Sequence, residues 1–227
     1  MARKLLAAGA AGGWVKGDDT REFNMCAGGL PAITAAVLHC RPPSTDLSAA
    51  AGAALTLKAT VYKATLQIAD MDRGVYVDHA VTIARHPSET DERMMVRLLA
   101  LALFLPADNH HGMLELAKDL WDSDEPALLQ RDLTGRILHW IEVGQPDDRR
   151  LMKASGRAER VTVLSFSYST PIWWGGIMNK IGRADNIAVW QIEAPQSQAL
   201  AALAQRGMRL QVMVQDGMVT VSDTERS

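Results

Sequence analysis

LQRDLTGRILHWIEVGQPDDRRLMKAS, residues 129–155, is the stretch on which the reading of the fold turns. It places Asp132 before a Thr-Gly turn, then a β-branched run that carries Glu142 near its end. Pro146-Asp147-Asp148 follows as a helix start, with Pro early and acids in the first turn, and Lys153 lies inside that helix. Two carboxylates on neighbouring strands and an amine close behind can hold Mg²⁺ and act on a phosphodiester, because a hard divalent cation takes oxygen ligands. The plainer reading leaves both acids solvated at a hairpin. Along the strand, Trp140, Glu142 and Gly144 share one face by alternation, and His139 falls on the other.

Working outward, RVTVLSFSY reads as a strand, STPIWWGGIMNKI as a short helix, NIAVWQIE as a strand and SQALAALAQR as a helix. MRLQVMVQDGMVTVSD closes the chain as a hairpin turning at Asp216-Gly217. Upstream, LTLKATVYKATLQIAD and DMDRGVYVDHAVTIA form an antiparallel pair about Arg73-Gly74. HPSETDERMMVRLLALALF then has the form of a helix with Ser88 and Asp91 as a capping box and a stripe of Met95, Leu98, Leu99 and Ala102. Glu92 lies on the shoulder of that stripe and Glu89 farther out. Strands alternating with helices, opened and closed by hairpins, imply a mixed-sheet α/β domain.

Residues 1–53 differ in kind. They are rich in Ala, Gly and Pro, carry no sustained period, and are expected to form a disordered extension to a domain spanning 54–227. Both cysteines, Cys26 and Cys40, fall there, so the body has neither a disulfide framework nor a thiolate metal site. That fits a reducing, cytoplasmic setting. No uncharged apolar run reaches the roughly 18 residues of a membrane span. The net charge of −2, and 19 Lys+Arg against 22 Asp+Glu within 54–227, argue against a strongly basic nucleic-acid surface but leave room for an enzyme that grips its substrate through one local patch.

Other candidates carry less. The His110-His111 doublet lies in a loop where adjacent residues share one metal poorly. His86 precedes the capping Pro-Ser and orders that turn, and His139 reads as packed. Ser165, Ser167 and Ser169 lack the elbow glycines of a serine hydrolase. The WWGG stretch lacks the lysine spacing of a phosphate loop. Trp173 and Trp174 serve either the core or a stacking surface for bases.

HPSETDERMM, IEVGQPDDRR and the Trp173-Trp174 pair, together with LKATVYKATLQIADMDR, DSDEPALL and LQVMVQDG in the same order, resemble the YaeQ family of bacterial proteins over residues 54–225. That family looks like a divergent branch of the PD-(D/E)XK superfamily, so the resemblance implies a restriction-endonuclease-like core, a mixed central β-sheet flanked by helices. It implies Asp132 and Glu142 as the strand acids holding Mg²⁺ or Mn²⁺, with Glu92, or less readily Glu89, as the helix acid. A lysine is expected at 144, where glycine stands; Lys153 or Gln145 would have to supply its function. Arg149, Arg150 and Arg157 would contact flanking phosphates. The implied activity is metal-dependent cleavage of nucleic-acid phosphodiesters. The alternative is an inactive nuclease-like scaffold that binds nucleic acid or protein, in connection with transcription.

Overall fold

The computed structural model describes residues 59–224 apart from 109 and 111. The expected extension over 1–53 and His111 of the histidine doublet lie outside these residues. Strands β1 (Thr60–Asp70) and β2 (Val75–Arg85) form the predicted hairpin, paired without a break from Thr60↔Arg85 to Asp70↔Val75. Alternation places Tyr62, Ala64, Leu66, Ile68 and Asp70 on the buried face of β1. Helix α1 (Asp91–Phe104) follows, then β3 (Leu114–Leu116), a single 3₁₀ turn at Asp119–Trp121, β4 (Leu128–Arg131) and β5 (Ile137–Val143). The rest is α2 (Asp148–Ser155), β6 (Ala158–Phe166), α3 (Thr170–Ile181), β7 (Ile187–Ile192), α4 (Ala194–Ala201), β8 (Gly207–Gln215) and β9 (Met218–Asp223).

The expected single sheet resolves into two. One runs β2-β1-β8-β9 and the other β3-β4-β5-β6-β7. The first hairpin and the last come together because β1 pairs parallel to β8, from Lys63↔Gly207 to Asp70↔Val214. In the second sheet β3, β4 and β5 are antiparallel neighbours while β5, β6 and β7 run parallel. Both sheets are therefore mixed.

Helix α1 lies between them. Every residue from Met94 to Ala102 is buried, including Arg97, which is what a helix enclosed on all sides requires. Its side chains share one core cluster with Leu66 and Ile83 of the first sheet and Leu128, Ile141 and Leu164 of the second. Helices α2 and α3 cover the far face of the second sheet, where Leu151, Ala154, Trp174, Ile177 and Ile181 pack on Trp140, Val161 and Val163. Thr90 rather than Ser88 caps α1, its hydroxyl accepting from the Arg93 N–H, while the Ser88 hydroxyl turns to His86 Nδ1. Trp174 is buried, and the half-buried Trp173 donates from its indole to the Pro146 carbonyl at 3.0 Å. Among the described residues no helix is long and apolar enough to cross a membrane.

Strand β5 is buried on both faces from His139 onward, so each polar side chain on it needs an internal partner. His139 finds Thr162, with Nε2 2.8 Å from the hydroxyl, and the ring of Phe104 edge-on at 5.2 Å. Burial, with the charge of Arg160 adding to it, pushes its pKa down to about 3. An unfolded histidine titrates near 6.5, so between those values the unfolded chain binds the extra proton. Stability is complete above pH 6.5 and falls as the pH drops, with a slope approaching ~1.4 kcal/mol per pH unit from this residue. His139→Gln is expected to flatten that slope in denaturant titrations between pH 7 and 5. Equal slopes for the two proteins would refute the assignment.

Candidate functional site

The positions expected to meet around a metal separate in space. Asp132 lies half-buried in the β4–β5 turn, where one carboxylate oxygen accepts from the Thr134 N–H (2.8 Å), the Thr134 hydroxyl (2.6 Å) and the Arg136 N–H (2.9 Å). The Thr134 hydroxyl bond foremost, and the backbone donors with it, hold its pKa below the ordinary value. Asp132 is thus a turn-forming residue. Leu128 opposite Ile141 sets Glu142 across from Ala127, five residues from Asp132 along the strand, or roughly 15 Å.

Glu142 faces α2, the same side as Trp140. The Arg150 guanidinium grips both its oxygens, Nε to Oε1 at 2.7 Å and Nη2 to Oε2 at 3.2 Å, and the Trp140 indole donates to Oε1 at 2.8 Å. Burial raises the Glu142 pKa against the pull of Arg150 and Trp140, and the charge of Asp119 raises it further. Arg150 was expected to meet phosphate; its guanidinium is committed instead to Glu142 and to the Ser123 and Glu125 carbonyls. Arg149 and Arg157 do lie exposed on and beside α2.

Lys153 also points away. Its ammonium meets the exposed Asp124 at 2.6 Å and lowers that acid's pKa, leaving Glu142 to Arg150. Gly144 explains why no lysine stands there. Its φ of +110° is a conformation L side chains rarely adopt, although nothing lies within 4 Å of an added Cβ. Gln145 turns to a group of hydroxyls after β6, its Nε2 lying 2.8 Å from Ser169 and 3.3 Å from Ser167.

Of the two candidate helix acids, Glu89 precedes the Thr90 cap and Glu92 lies in the first turn of α1. Glu92 accepts a hydrogen bond from the Ser197 hydroxyl of α4 and belongs to helix packing. Glu89 is buried and accepts from Arg97 Nη1 through both oxygens (3.2 and 3.1 Å) and from Arg93 Nη1 (2.9 Å). Arg93 then grips Asp119 bidentately, at 2.6 and 2.8 Å. Burial opposes the Arg93 charge, yet Asp119 and Glu89 hold its pKa above the ordinary value. Asp119 is buried with φ +52°, a left-handed conformation that aspartate tolerates better than most residues. Glu89, Asp119, Arg93 and Arg97 thus form a charge-balanced group at the start of α1, and the separate Glu142–Arg150 pair lies near enough for the charge of Asp119 to act on it.

Asp119 was not singled out in the sequence, because DLWDSDE offers four acids and nothing local marks which one is buried. Glu89, Arg93 and Arg97 recur at intervals of four, a spacing that stacks side chains along a helix face and could have flagged the group.

The family model for the YaeQ protein matches residues 55–227. The chain belongs to the YaeQ family. The YaeQ protein of Escherichia coli strain K12 is 42% identical over 175 residues, covering 76% of this chain and 93% of its own length, and that of Salmonella typhi matches to the same extent. The crystal structure of YaeQ from Xanthomonas axonopodis pv. citri is similar with a TM-score of 0.68 at 47% identity, covering 74% of this chain and 92% of its own. YaeQ from Pseudomonas syringae gives 0.68 at 41% identity over 74% and 90%.

For this YaeQ-family domain the residues do not fit the Mg²⁺ site that the resemblance implied. Asp132, Glu142 and Glu92 fail to converge, and the Glu142 carboxylate is held by a neighbouring cation. Among the described residues no three acids or histidines are arranged as a ready-made metal cage. Glu89 is the hub of what is there. Glu89→Ala removes the closest partner of the buried Arg97, leaving it only the longer contact to Asp119 at 3.4 Å, a loss of about 3 kcal/mol. Glu92→Gln keeps an acceptor for the Ser197 hydroxyl and weakens one hydrogen bond, a loss of about 1 kcal/mol. Urea denaturation of both variants checks the difference; comparable losses would remove Glu89 from its central role.

Proposed function

We propose that this domain is a binding scaffold on a restriction-endonuclease-like plan, without metal-dependent hydrolysis. The observation that carries the reading is the state of Glu142: both carboxylate oxygens are bound by Arg150, and one also by Trp140. A catalytic carboxylate has to offer its lone pairs to a metal ion, and here those lone pairs face an arginine fork that matches them in shape and charge. The supports for phosphodiester chemistry are missing in the same way. Asp132 builds a turn, Lys153 pairs with Asp124, and the backbone at Gly144 disfavours a lysine.

Charge favours a protein partner over nucleic acid. A backbone-reading surface needs an excess of Lys and Arg, whereas 54–227 carries 19 against 22 acids. The nuclease reading keeps one observation on its side. Glu89, Asp119 and Glu142 occupy one region, and Asp119 lies near enough for its charge to act on Glu142. Cleavage would then require the intervening arginines to move aside.

The test is incubation of the full chain with single- and double-stranded DNA and RNA, in Mg²⁺ or Mn²⁺ and in EDTA, beside Glu142→Gln. The expected result is no metal-dependent cleavage, with nucleic-acid binding that is weak and vanishes as salt rises. Metal-dependent cleavage lost in Glu142→Gln would overturn the scaffold reading in favour of a nuclease.

A further inference from the structure

Oxygen atoms surround the Arg150 guanidinium on three sides. Glu142 supplies both carboxylate oxygens, Ser123 a main-chain carbonyl to Nη1, and Glu125 a second carbonyl to Nη2 at 2.7 Å. One bidentate carboxylate plus main-chain carbonyls is also a donor set that hard divalent cations take from proteins. The same oxygens that would coordinate an ion here solvate a guanidinium instead.

The neighbourhood is built to keep that cation in place. Asp147 caps α2 by accepting from the Arg150 N–H at 2.7 Å, which fixes the backbone that carries the guanidinium. The segment it grips is also tied from outside, by Lys153 on Asp124 and by the Lys118 N–H on the Glu125 carboxylate at 3.0 Å. Asp119 adds negative potential behind Glu142. A buried carboxylate in such a field needs a positive partner, and α2 delivers one covalently attached to the chain.

We propose that Arg150 is a tethered cation, filling from the protein's own chain the place beside Glu142 that a divalent ion would otherwise take, and closing the 122–126 segment over it. The inference deepens the scaffold reading and rests on it for its biological sense, although its physical content concerns ion binding alone. An incoming ion has to expel an arginine that cannot diffuse away and strand its charge in a half-buried site. The wild-type chain is therefore indifferent to divalent ions, and loss of the Arg150 guanidinium uncovers a site for Mn²⁺, Mg²⁺ or Ca²⁺.

Thermal unfolding and titration calorimetry of the full chain with MnCl₂, in the absence of nucleic acid, test this. The wild-type midpoint is expected to move by no more than about 1 °C at about 5 mM Mn²⁺. Arg150→Ala is expected to melt on the order of 10 °C lower without metal and to recover several degrees with it. That recovery disappears in the Arg150→Ala, Glu142→Gln double variant. If Arg150→Ala does not fold, Arg150→Gln takes its place, a neutral side chain that fills more of the space and leaves no tethered charge beside Glu142. A folded Arg150 variant with no Mn²⁺ response would overturn the proposal, as would wild-type Mn²⁺ binding that Glu142→Gln abolishes. Cleavage by the wild type counts against the scaffold reading, whereas a metal-silent Arg150 variant beside a non-cleaving wild type counts against the tethered cation alone.

Discussion

The pairing of Glu142 with Arg150 is the contact around which this end of the domain is arranged. Glu142 sits on a strand covered on both faces, and an ionised carboxylate there has to be neutralised from within. Arg150 does so, and in reaching Glu142 it also ties down the carbonyls of Ser123 and Glu125. α2, the 122–126 segment and the Trp140 indole are thus tied together at one buried charge and its partner.

A second group of charges follows the same rule deeper in the fold. Helix α1 is enclosed by two sheets, so its apolar residues can face every direction, but Arg97 cannot stay buried alone. Glu89 and Asp119 answer that need, and Arg93 links them. Buried ion networks of this kind contribute little net stability against apolar replacements, but they are unforgiving when one member is removed. Their use here is positional. They fix the entry to α1, the left-handed Asp119 and the 3₁₀ turn relative to one another.

Much of the fold was readable because it depends on local chemistry. The β1–β2 hairpin, α2 with its acidic start, α3 with its early proline and the Asp216-Gly217 turn all fall where alternation, capping and turn residues place them. The α1 cap moved two residues, from Ser88 to Thr90, because both are competent caps and His86 drew the serine hydroxyl away. The site was less legible. Asp132, a turn acid with a Thr-Gly sequel, looks the same in a metal site and in a solvated hairpin. Glu92 looked closer to the core than Glu89, because the apolar stripe of α1 says nothing of a residue ahead of its cap, where arginines of the helix reach back to bury Glu89.

What the sequence determined by itself was the order and type of elements, the residues that must be buried, and the kinship with the YaeQ family, since periodicity and motif order are written along the chain. Tertiary structure alone decided that two sheets form in place of one. That outcome rests on β1 meeting β8 across some 140 residues, and backbone pairing leaves no mark in either strand's own pattern. It also decided which acid meets which base. A carboxylate's chemistry depends on the few ångströms around it, and for Glu142 those are supplied by Trp140 of β5 and Arg150 of α2 together.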